Sequence, residues 1–347
     1  MAVVLNSLAD VLALDFDDII DVRAPAEWAE DHIPGAMSLP VLDDAERARV
    51  GTIYKQVSPF SARKIGAALV AKNAAAHLEG PLADKPGGWR PLVYCWRGGQ
   101  RSGSFASILS QIGWRVEIVQ GGYKTWRRLV VDALYNDPFP FRLVVLDGNT
   151  GSAKTEVLNL LPERGVQVLD LEGLANHRGS LFGHMGEQPS QKAFEGRLAL
   201  ALARLDRARV VVVEAESAKV GECRLPPKLW RAMVEAPRVA IEAPRRARAE
   251  YLVGAYADLV ADVARLDGVV ASLALAHPRE QIAEWRGMVA AGQFRALAEG
   301  LMERHYDPRY GKHRARMEVP FTEVVVDGLD DLGPLADRLA EAVKAAG

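Results

Sequence analysis

The sequence predicts an α/β protein of two consecutive domains, each a parallel sheet wrapped by helices, with a helical insert in the second. Short apolar runs alternate with helix-period patterns, as crossovers between parallel strands require. The segment Asn136-Asp137-Pro138-Phe139-Pro140 combines turn formers with two prolines that neither a helix nor a central strand tolerates. A length of 347 residues also exceeds what a single core usually serves. Domains are therefore expected over residues 1–137 and 138–347.

In the first, Ile19–Val22, Leu92–Tyr94 and Val116–Val119 read as buried strands. Between the last two, Phe105, Ile108, Leu109 and Ile112 share one face of a helix over Ser102–Ile112, and Gly113 supplies its stop. The second opens with strand Leu143–Leu146, a glycine-bearing loop and a helix over Thr155–Leu161. Further strands are expected at Val166–Leu169, Val210–Val213, Val239–Ile241 and Val324–Val326. From Arg245 to about Arg304 the pattern is helical, broken at His277-Pro278, and reads either as a lid or substrate platform or as a plain helical subdomain.

Hydrophobic residues make up 49% and charged residues 25%, the balance of an ordinary globular protein. With 43 Lys and Arg against 45 Asp and Glu, the net charge of −2 gives no bulk attraction to a polyanion, so one must be met by a local patch. Cys95 and Cys223 lie far apart, in neither a disulfide framework nor a zinc spacing. The acid-interrupted N-terminus does not read as a signal peptide, and no apolar run suits a bilayer, so a cytoplasmic protein is expected.

Cys95 follows a strand and precedes Trp96, Arg97, Gly98, Gly99, Gln100 and Arg101, after which a helix begins. Amides of a curled loop and the positive end of the helix would converge on the sulfur, and Arg97 and Arg101 add charge that favours the thiolate nucleophile. The cradle Trp96, Gly98, Gly99 and Gln100 suits an oxyanion or a terminal chalcogen anion. Cys223 lacks such a cradle and reads as structural.

Asp21-Val22-Arg23, His32-Ile33-Pro34-Gly35-Ala36, the Cys95 loop, and Gly121-Gly122-Tyr123 with Trp126 together resemble a rhodanese domain in order and spacing. The resemblance implies a cysteine that carries sulfur or selenium as a persulfide or perselenide, with Asp21 and Arg23 as scaffold. Five residues separate Cys95 from Arg101, which is also the spacing of cysteine phosphatases and arsenate reductases. Such a cradle admits selenophosphate as donor, and admits a phosphatase.

Gly148, Asn149, Thr150, Gly151, Ser152, Ala153, Lys154 and Thr155 sit between strand and helix, as a P-loop must. Its amides would wrap a diphosphate, Lys154 would bridge the oxygens and Thr155 would hold a magnesium ion. Ala153 stands where a Walker A loop has its last glycine, which puts nucleotide hydrolysis in question. Val210–Val213 then ends in Glu214, and Glu214 or Glu216 would orient magnesium or water unless each is merely an exposed strand-tip acid. The loop His177-Arg178-Gly179-Ser180-Leu181-Phe182-Gly183, with Arg178 as the candidate residue, reads as a contact to a diphosphate tail or an RNA backbone, or else as an ordinary surface loop. Arg245, Arg246 and Arg248 are placed like the arginine lid of small P-loop kinases, which closes over phosphates, or else lie on a solvated helix face. Arg304, His305, Arg309, Lys312, His313, Arg314 and Arg316, with Tyr306 and Tyr310, offer phosphate contacts and stacking surfaces for RNA, or else form a solvated basic face.

A rhodanese-like parallel-sheet domain followed by a P-loop NTPase-like α/β domain resembles the bacterial tRNA 2-selenouridine synthases over essentially the whole chain. The resemblance includes Leu42–Arg47, Gly51-Thr52-Ile53-Tyr54-Lys55, Tyr94–Ser102 and His177–Ser180. It implies a transferase that exchanges the sulfur of wobble 2-thiouridine in tRNA for selenium from selenophosphate, through an S-geranylated uridine made from geranyl diphosphate. It also implies tRNA as partner and a selenophosphate-supplying enzyme as a transient one. Two other readings stay open: a sulfurtransferase or cysteine phosphatase with an accessory nucleotide-binding domain, and a regulatory nucleotide-binding module that senses redox state.

Overall fold

The computed structural model describes residues 2–178, 182, 186–315 and 318–347. The chain forms two compact units, Met1–Pro138 with Pro189–Arg204, and Phe139–Gln188 with Leu205–Gly347.

The first unit is built on strands β1 (Ala2–Val3), β2 (Asp18–Asp21), β3 (Met37–Ser38), β4 (Pro91–Tyr94) and β5 (Glu117–Val119) in the order β1-β5-β4-β2-β3. Every pair is parallel. β4 is buried along its whole length, as a strand covered on both faces must be. The expected strands are present within a residue or two, whereas the two-residue β1 and β3 are too short to leave a periodic signal. Helix Gln100–Ile112 buries Phe105 and Leu109 against Ile20, Val93 and Trp114, and Gly113 ends it in the left-handed region at φ 108°. A helical hairpin, Asp44–Gln56 and Pro59–Glu79, covers another part of the same core through Val70 and Ala74. Asp43 caps its first helix in a reciprocal box with Glu46, and Ser58 caps the second, whose Pro59 needs no amide partner.

A boundary at residues 137 and 138 does not capture helix Gln191–Ala203, which packs with the first unit. Phe194, Leu198 and Ala199 are fully buried, and Gly196 lies so close to Trp126 that a Cβ there would stand 3.0 Å from the indole. Glu195 binds the Arg127 guanidinium and accepts from the Tyr135 hydroxyl at 2.7 Å. The proline break marks where the backbone leaves the first unit, but the apolar face of this later helix decides where it is buried.

In the second unit β6 (Leu143–Gly148) lies at the centre of a parallel sheet with β7 (Gln167–Leu169), β8 (Val211–Glu214), β11 (Arg238–Glu242) and β12 (Phe321–Val325), in the order β12-β11-β6-β8-β7. An antiparallel pair, β9 (Lys219–Val220) and β10 (Cys223–Arg224), stands apart from it and holds the buried Cys223. Val144, Leu146, Val212, Val239 and Ile241 make the core with Leu335, Leu339 and Val343 of the last helix. The helical insert is a series of short helices from Arg245 to Arg314, longer than the expected end near Arg304. It has its own core of Leu259, Leu266, Val270, Trp285, Leu297 and Leu301.

Beneath the loop that follows β6, buried Asp147 binds Arg238 at 2.8 Å and Arg314 at 3.0 Å and accepts from the Gly148 amide at 2.6 Å. Burial pushes its carboxyl up, but the two guanidiniums and the amide hold it below the ordinary carboxylate value. A depressed folded pKa contributes stability that is complete above the unfolded value of about 3.9 and is lost as pH falls through the folded one. Asp147→Asn leaves Arg238 buried with an uncompensated charge, so unfolding at neutral pH is expected to become easier by about 3–5 kcal/mol, with a flatter acid limb. Denaturant titration across pH checks both, and a wild-type midpoint would refute the role of the pair.

Candidate active sites

In the first unit Cys95 stands just past β4 and is 3% exposed. Its Sγ lies 3.1 Å from the Ser102 hydroxyl and accepts from the Gly99 amide at 3.3 Å, where helix Gln100–Ile112 begins. Burial pushes the thiol up, but the hydroxyl and amide of Ser102, the Gly99 amide and the charge of Arg101 outweigh it and hold the thiol below its ordinary value. The loop keeps its shape because glycines press on it from beneath. Gly98 sits at φ 63°, where a Cβ would be 2.7 Å from the Val119 carbonyl, and a Cβ on Gly122 would overlap the Cys95 carbonyl. The Tyr123 and Lys124 amides donate to the carbonyls of Cys95 and Trp96 at 2.9 and 3.1 Å.

The two expected arginines have different fates. Arg101 is held in a pair with Glu27 at 2.7 Å, so it acts on the sulfur through its field rather than by contact, and Arg97 is exposed. Gln100 opens the helix and is exposed, while the Trp96 ring leans on Tyr123 with centroids 5.1 Å apart. Asp21 and Arg23 form a buried pair at 2.6 Å, and the Arg23 guanidinium lies 4.0 Å from the centre of the Tyr123 ring. Glu27 and Ser102 have no role that the sequence reveals, and neither carries a local signal: one is 74 residues from its partner, the other an unremarkable serine in a helix start.

In the second unit Gly148 and Gly151 adopt φ 150° and 81°, and Ala153 adopts φ 58°, ψ 28° at the start of helix Lys154–Leu160. The alanine takes a left-handed conformation that ordinarily favours glycine, at a strain of about 1 kcal/mol. Lys154 Nζ reaches back to the Gly148 carbonyl at 2.8 Å and lies 5.9 Å from the centre of the Tyr310 ring. The Thr155 hydroxyl donates to Glu172 at 2.7 Å, and the Glu172 amide donates to Glu214 at 2.8 Å. Burial, with neighbouring acids, pushes the carboxyls of both Glu214 and Glu216 well above the ordinary range. Glu172 completes this acid cluster without any signal in the sequence, since its side chain is brought in by a five-residue helix after β7.

A pocket over the loop is lined by Thr150–Glu156, Glu172, Arg178, Glu216, Leu252, Tyr256 and Tyr310. Thr150, Leu252 and Tyr256 also line a second, apolar pocket of about 80 Å³, walled by Phe182, Leu259, Leu266, Phe294, Leu297 and Leu301. The first helix of the insert, Arg245–Ala255, packs tightly on the loop: a Cβ on Gly151 would lie 2.8 Å from the Arg248 carbonyl.

Several expected anion contacts are spent on internal pairs. Arg248 is buried and bridges the Thr150 carbonyl at 3.0 Å to Asp307 at 2.9 Å, which makes it a strut rather than a mobile lid. Arg245 pairs with Glu303 and Arg246 with Glu250. Arg178 lines the pocket over the loop and binds Asp258 at 3.0 Å. Of the basic cluster near the C-terminus, Arg314 is engaged by Asp147 and Glu242, Arg304 by Gln281 and Glu284, and Arg309 by His305 at 3.0 Å. Lys312 is exposed; Gly179, Ser180, Leu181, Gly183 and Arg316, and the side chain of His313, lie outside the described residues.

Two family models match in the order expected, a Rhodanese-like domain over residues 5–129 and a tRNA 2-selenouridine synthase AAA domain over residues 141–274. A curated tRNA 2-selenouridine synthase of Pseudomonas syringae pv. tomato is 35% identical over 363 aligned positions, covering 93% of this chain and 97% of that one. The chain belongs to the tRNA 2-selenouridine synthase family. Other tRNA 2-selenouridine synthases agree: that of Aeromonas salmonicida is 41% identical, over 70% of this chain and 66% of that one, and that of Shewanella denitrificans 36%, over 74% and 70%. The enzyme class is that of a tRNA-modifying transferase. Among the described residues no helix is long and apolar enough to cross a membrane.

Ser102→Ala removes a donor to the sulfur and leaves burial in place. The thiol pKa is expected to rise, read from the pH dependence of Cys95 alkylation with Cys223 replaced by Ser. An unmoved profile would show that the hydroxyl does not stabilise the thiolate.

Proposed function

We propose that the enzyme replaces the sulfur of wobble 2-thiouridine in tRNA with selenium from selenophosphate, through an S-geranylated uridine, and that its two units divide the chemistry. The observation that carries this reading is that the pocket over the phosphate loop and the apolar pocket share Thr150, Leu252 and Tyr256 in their linings. A nucleotide would put a polar sugar and base beyond its phosphates; a wall of Leu, Phe and Tyr suits a hydrocarbon. Geranyl diphosphate has the matching polarity, with a head for the Gly148–Thr155 amides and Lys154 and a tail for the space bounded by Leu266 and Leu297.

In the first step the thiocarbonyl sulfur forms a bond to C1 of the geranyl group as the C1–O bond breaks, diphosphate leaves with the electron pair, and the N3 proton of the uridine is released. Lys154 and the loop amides favour this by meeting the charge that builds on the departing oxygens. In the second, the selenium of selenophosphate forms a bond to C2 as the C2–S bond breaks, the alkylated sulfur leaves with the electron pair and takes a proton as geranyl thiol, and water takes the phosphoryl group as the Se–P bond breaks, leaving selenium on the uridine and releasing phosphate; the alkylated sulfur is a better leaving group than that of the thiocarbonyl. Cys95, as thiolate, assists the delivery of selenium.

Among the described residues no group of three or more His, Cys, Asp and Glu stands ready to hold a metal. Magnesium usually keeps its waters and takes only one or two protein oxygens beside substrate phosphates. The Thr155 hydroxyl with Glu172, and the buried Glu214 Oε2 that has no hydrogen-bond partner among the described residues, fit that sparse donor set. Bound there, the ion would supply charge neutralisation to the diphosphate.

The test is mass spectrometry of wobble nucleosides after incubation of 2-thiouridine tRNA with selenophosphate and geranyl diphosphate. Lys154→Ala, and Ala298→Phe, which fills the apolar pocket, are expected to lower geranylation at least tenfold. Cys95→Ala is expected to geranylate at the wild-type rate and to incorporate no selenium. Matching profiles for the Lys154 and Cys95 variants would refute the division.

A further inference from the structure

The helical hairpin of the first unit has a charge distribution unlike the rest of the chain. From Arg47 to Leu78 the sequence holds no Asp or Glu, yet it holds Arg47, Arg49, Lys55, Arg63, Lys64 and Lys72, in a protein whose net charge is −2. All six are exposed. Arg47 pairs with Glu27 at 3.1 Å, and among the described residues the other five form no ion pair. The C-terminal cations behave oppositely, since Arg304 and Arg314 are neutralised by carboxylates of their own unit.

The tip of the hairpin, where Val57 and Ser58 join the two helices, also presents large apolar groups to water. Tyr54 is 54% exposed, Val57 74% and Phe60 74%. One such side chain is ordinary, whereas three within seven residues, set among unpaired cations, form a surface with two kinds of affinity. Cations without partners suit phosphates, and exposed rings suit unstacked bases; the combination is that of a protein that grips an RNA loop. The surface also adjoins the cysteine site, because Glu27 shares its carboxylate between Arg47 of the hairpin and Arg101 of the Cys95 loop.

We infer that this hairpin is a docking surface for the tRNA substrate, with Arg49, Lys55, Arg63 and Lys64 on phosphates and Tyr54 and Phe60 stacking on bases of the anticodon loop. The inference rests on the reading that the enzyme acts on wobble 2-thiouridine, and it adds where the first unit holds the RNA. A protein partner would be met by the same rings but has no need of exposed cations without carboxylate partners.

The experiment measures binding of 2-thiouridine tRNA to the full chain over a salt titration. Arg63→Glu with Lys64→Glu is expected to weaken binding at least tenfold at low salt and to reduce the slope of log affinity against log salt by about two, one for each phosphate no longer neutralised. Tyr54→Ala with Phe60→Ala is expected to weaken binding about tenfold with the slope unchanged. The rate of Cys95 alkylation shows that each variant is folded; should the first pair misfold, Arg49→Glu with Lys55→Glu reads the same surface. Wild-type affinity and slope in folded variants would overturn the inference. So would variants that bind tRNA normally but lose selenium transfer from a selenophosphate-supplying protein, since the surface would then serve that protein. A wild-type enzyme that does not bind thiolated tRNA would instead refute the functional reading on which the inference rests.

Discussion

An anion held inside a protein has lost water as its solvent, and something fixed must replace it. In the first unit the replacement is the main chain: the Gly99 amide and the start of helix Gln100–Ile112 face Cys95 Sγ, with the Ser102 hydroxyl beside them. This requires the loop to curl tightly, and the curl depends on Gly98 and Gly122 lying where no side chain fits. The chemistry of the site therefore begins with the absence of two Cβ atoms. The buried Asp21–Arg23 pair and Tyr123 beneath the loop belong to the same constraint, because amides aimed at an anion are useful only if they cannot turn away.

The second unit applies the same logic to a different charge. Its loop also leaves a central parallel strand and enters a helix, and Ala153 shows that the backbone path matters more than the residue type, since it holds the left-handed conformation without being glycine. What departs from a nucleotide site is the insert. Arg248 binds the loop at Thr150 and ties it to Asp307, so the insert is fastened to the phosphate site at its base. The hydrophobic core of the insert opens toward the loop as an apolar pocket. A pocket of that kind gains most from a ligand whose charge and hydrocarbon are joined.

Local signals make both sites visible in the sequence. The strands β2, β4, β5, β6, β8 and β11 are apolar runs, and each reactive loop has its glycines within eight positions of the nucleophile or lysine. What is not visible depends on partners distant in sequence. Glu27 lies 74 residues from Arg101, and Arg314 lies 167 from Asp147. An arginine-rich stretch reads as an anion site until its carboxylates are known, which is why Arg248, Arg304 and Arg314 look available in the sequence and are not. Helix Gln191–Ala203 illustrates the same difficulty at the level of domains, because its amphipathic face specifies burial without specifying in which core.

Ion pairing therefore separates two uses of positive charge that composition cannot distinguish. Where a guanidinium is buried or half-buried beside a carboxylate, as at Arg238 and Arg314, its charge stabilises the fold and its field at the surface is largely cancelled. Where cations are exposed and acids are excluded from the surrounding sequence, as from Arg47 to Leu78, the charge does little for the fold and repels itself. A surface of the second kind is held together by the apolar packing beneath it, here Val70 and Ala74 against the first core, and its electrostatic energy falls only when a polyanion arrives. A chain of net charge −2 can thus attract RNA without being basic, because what acts at close range is the unpaired local charge rather than the sum.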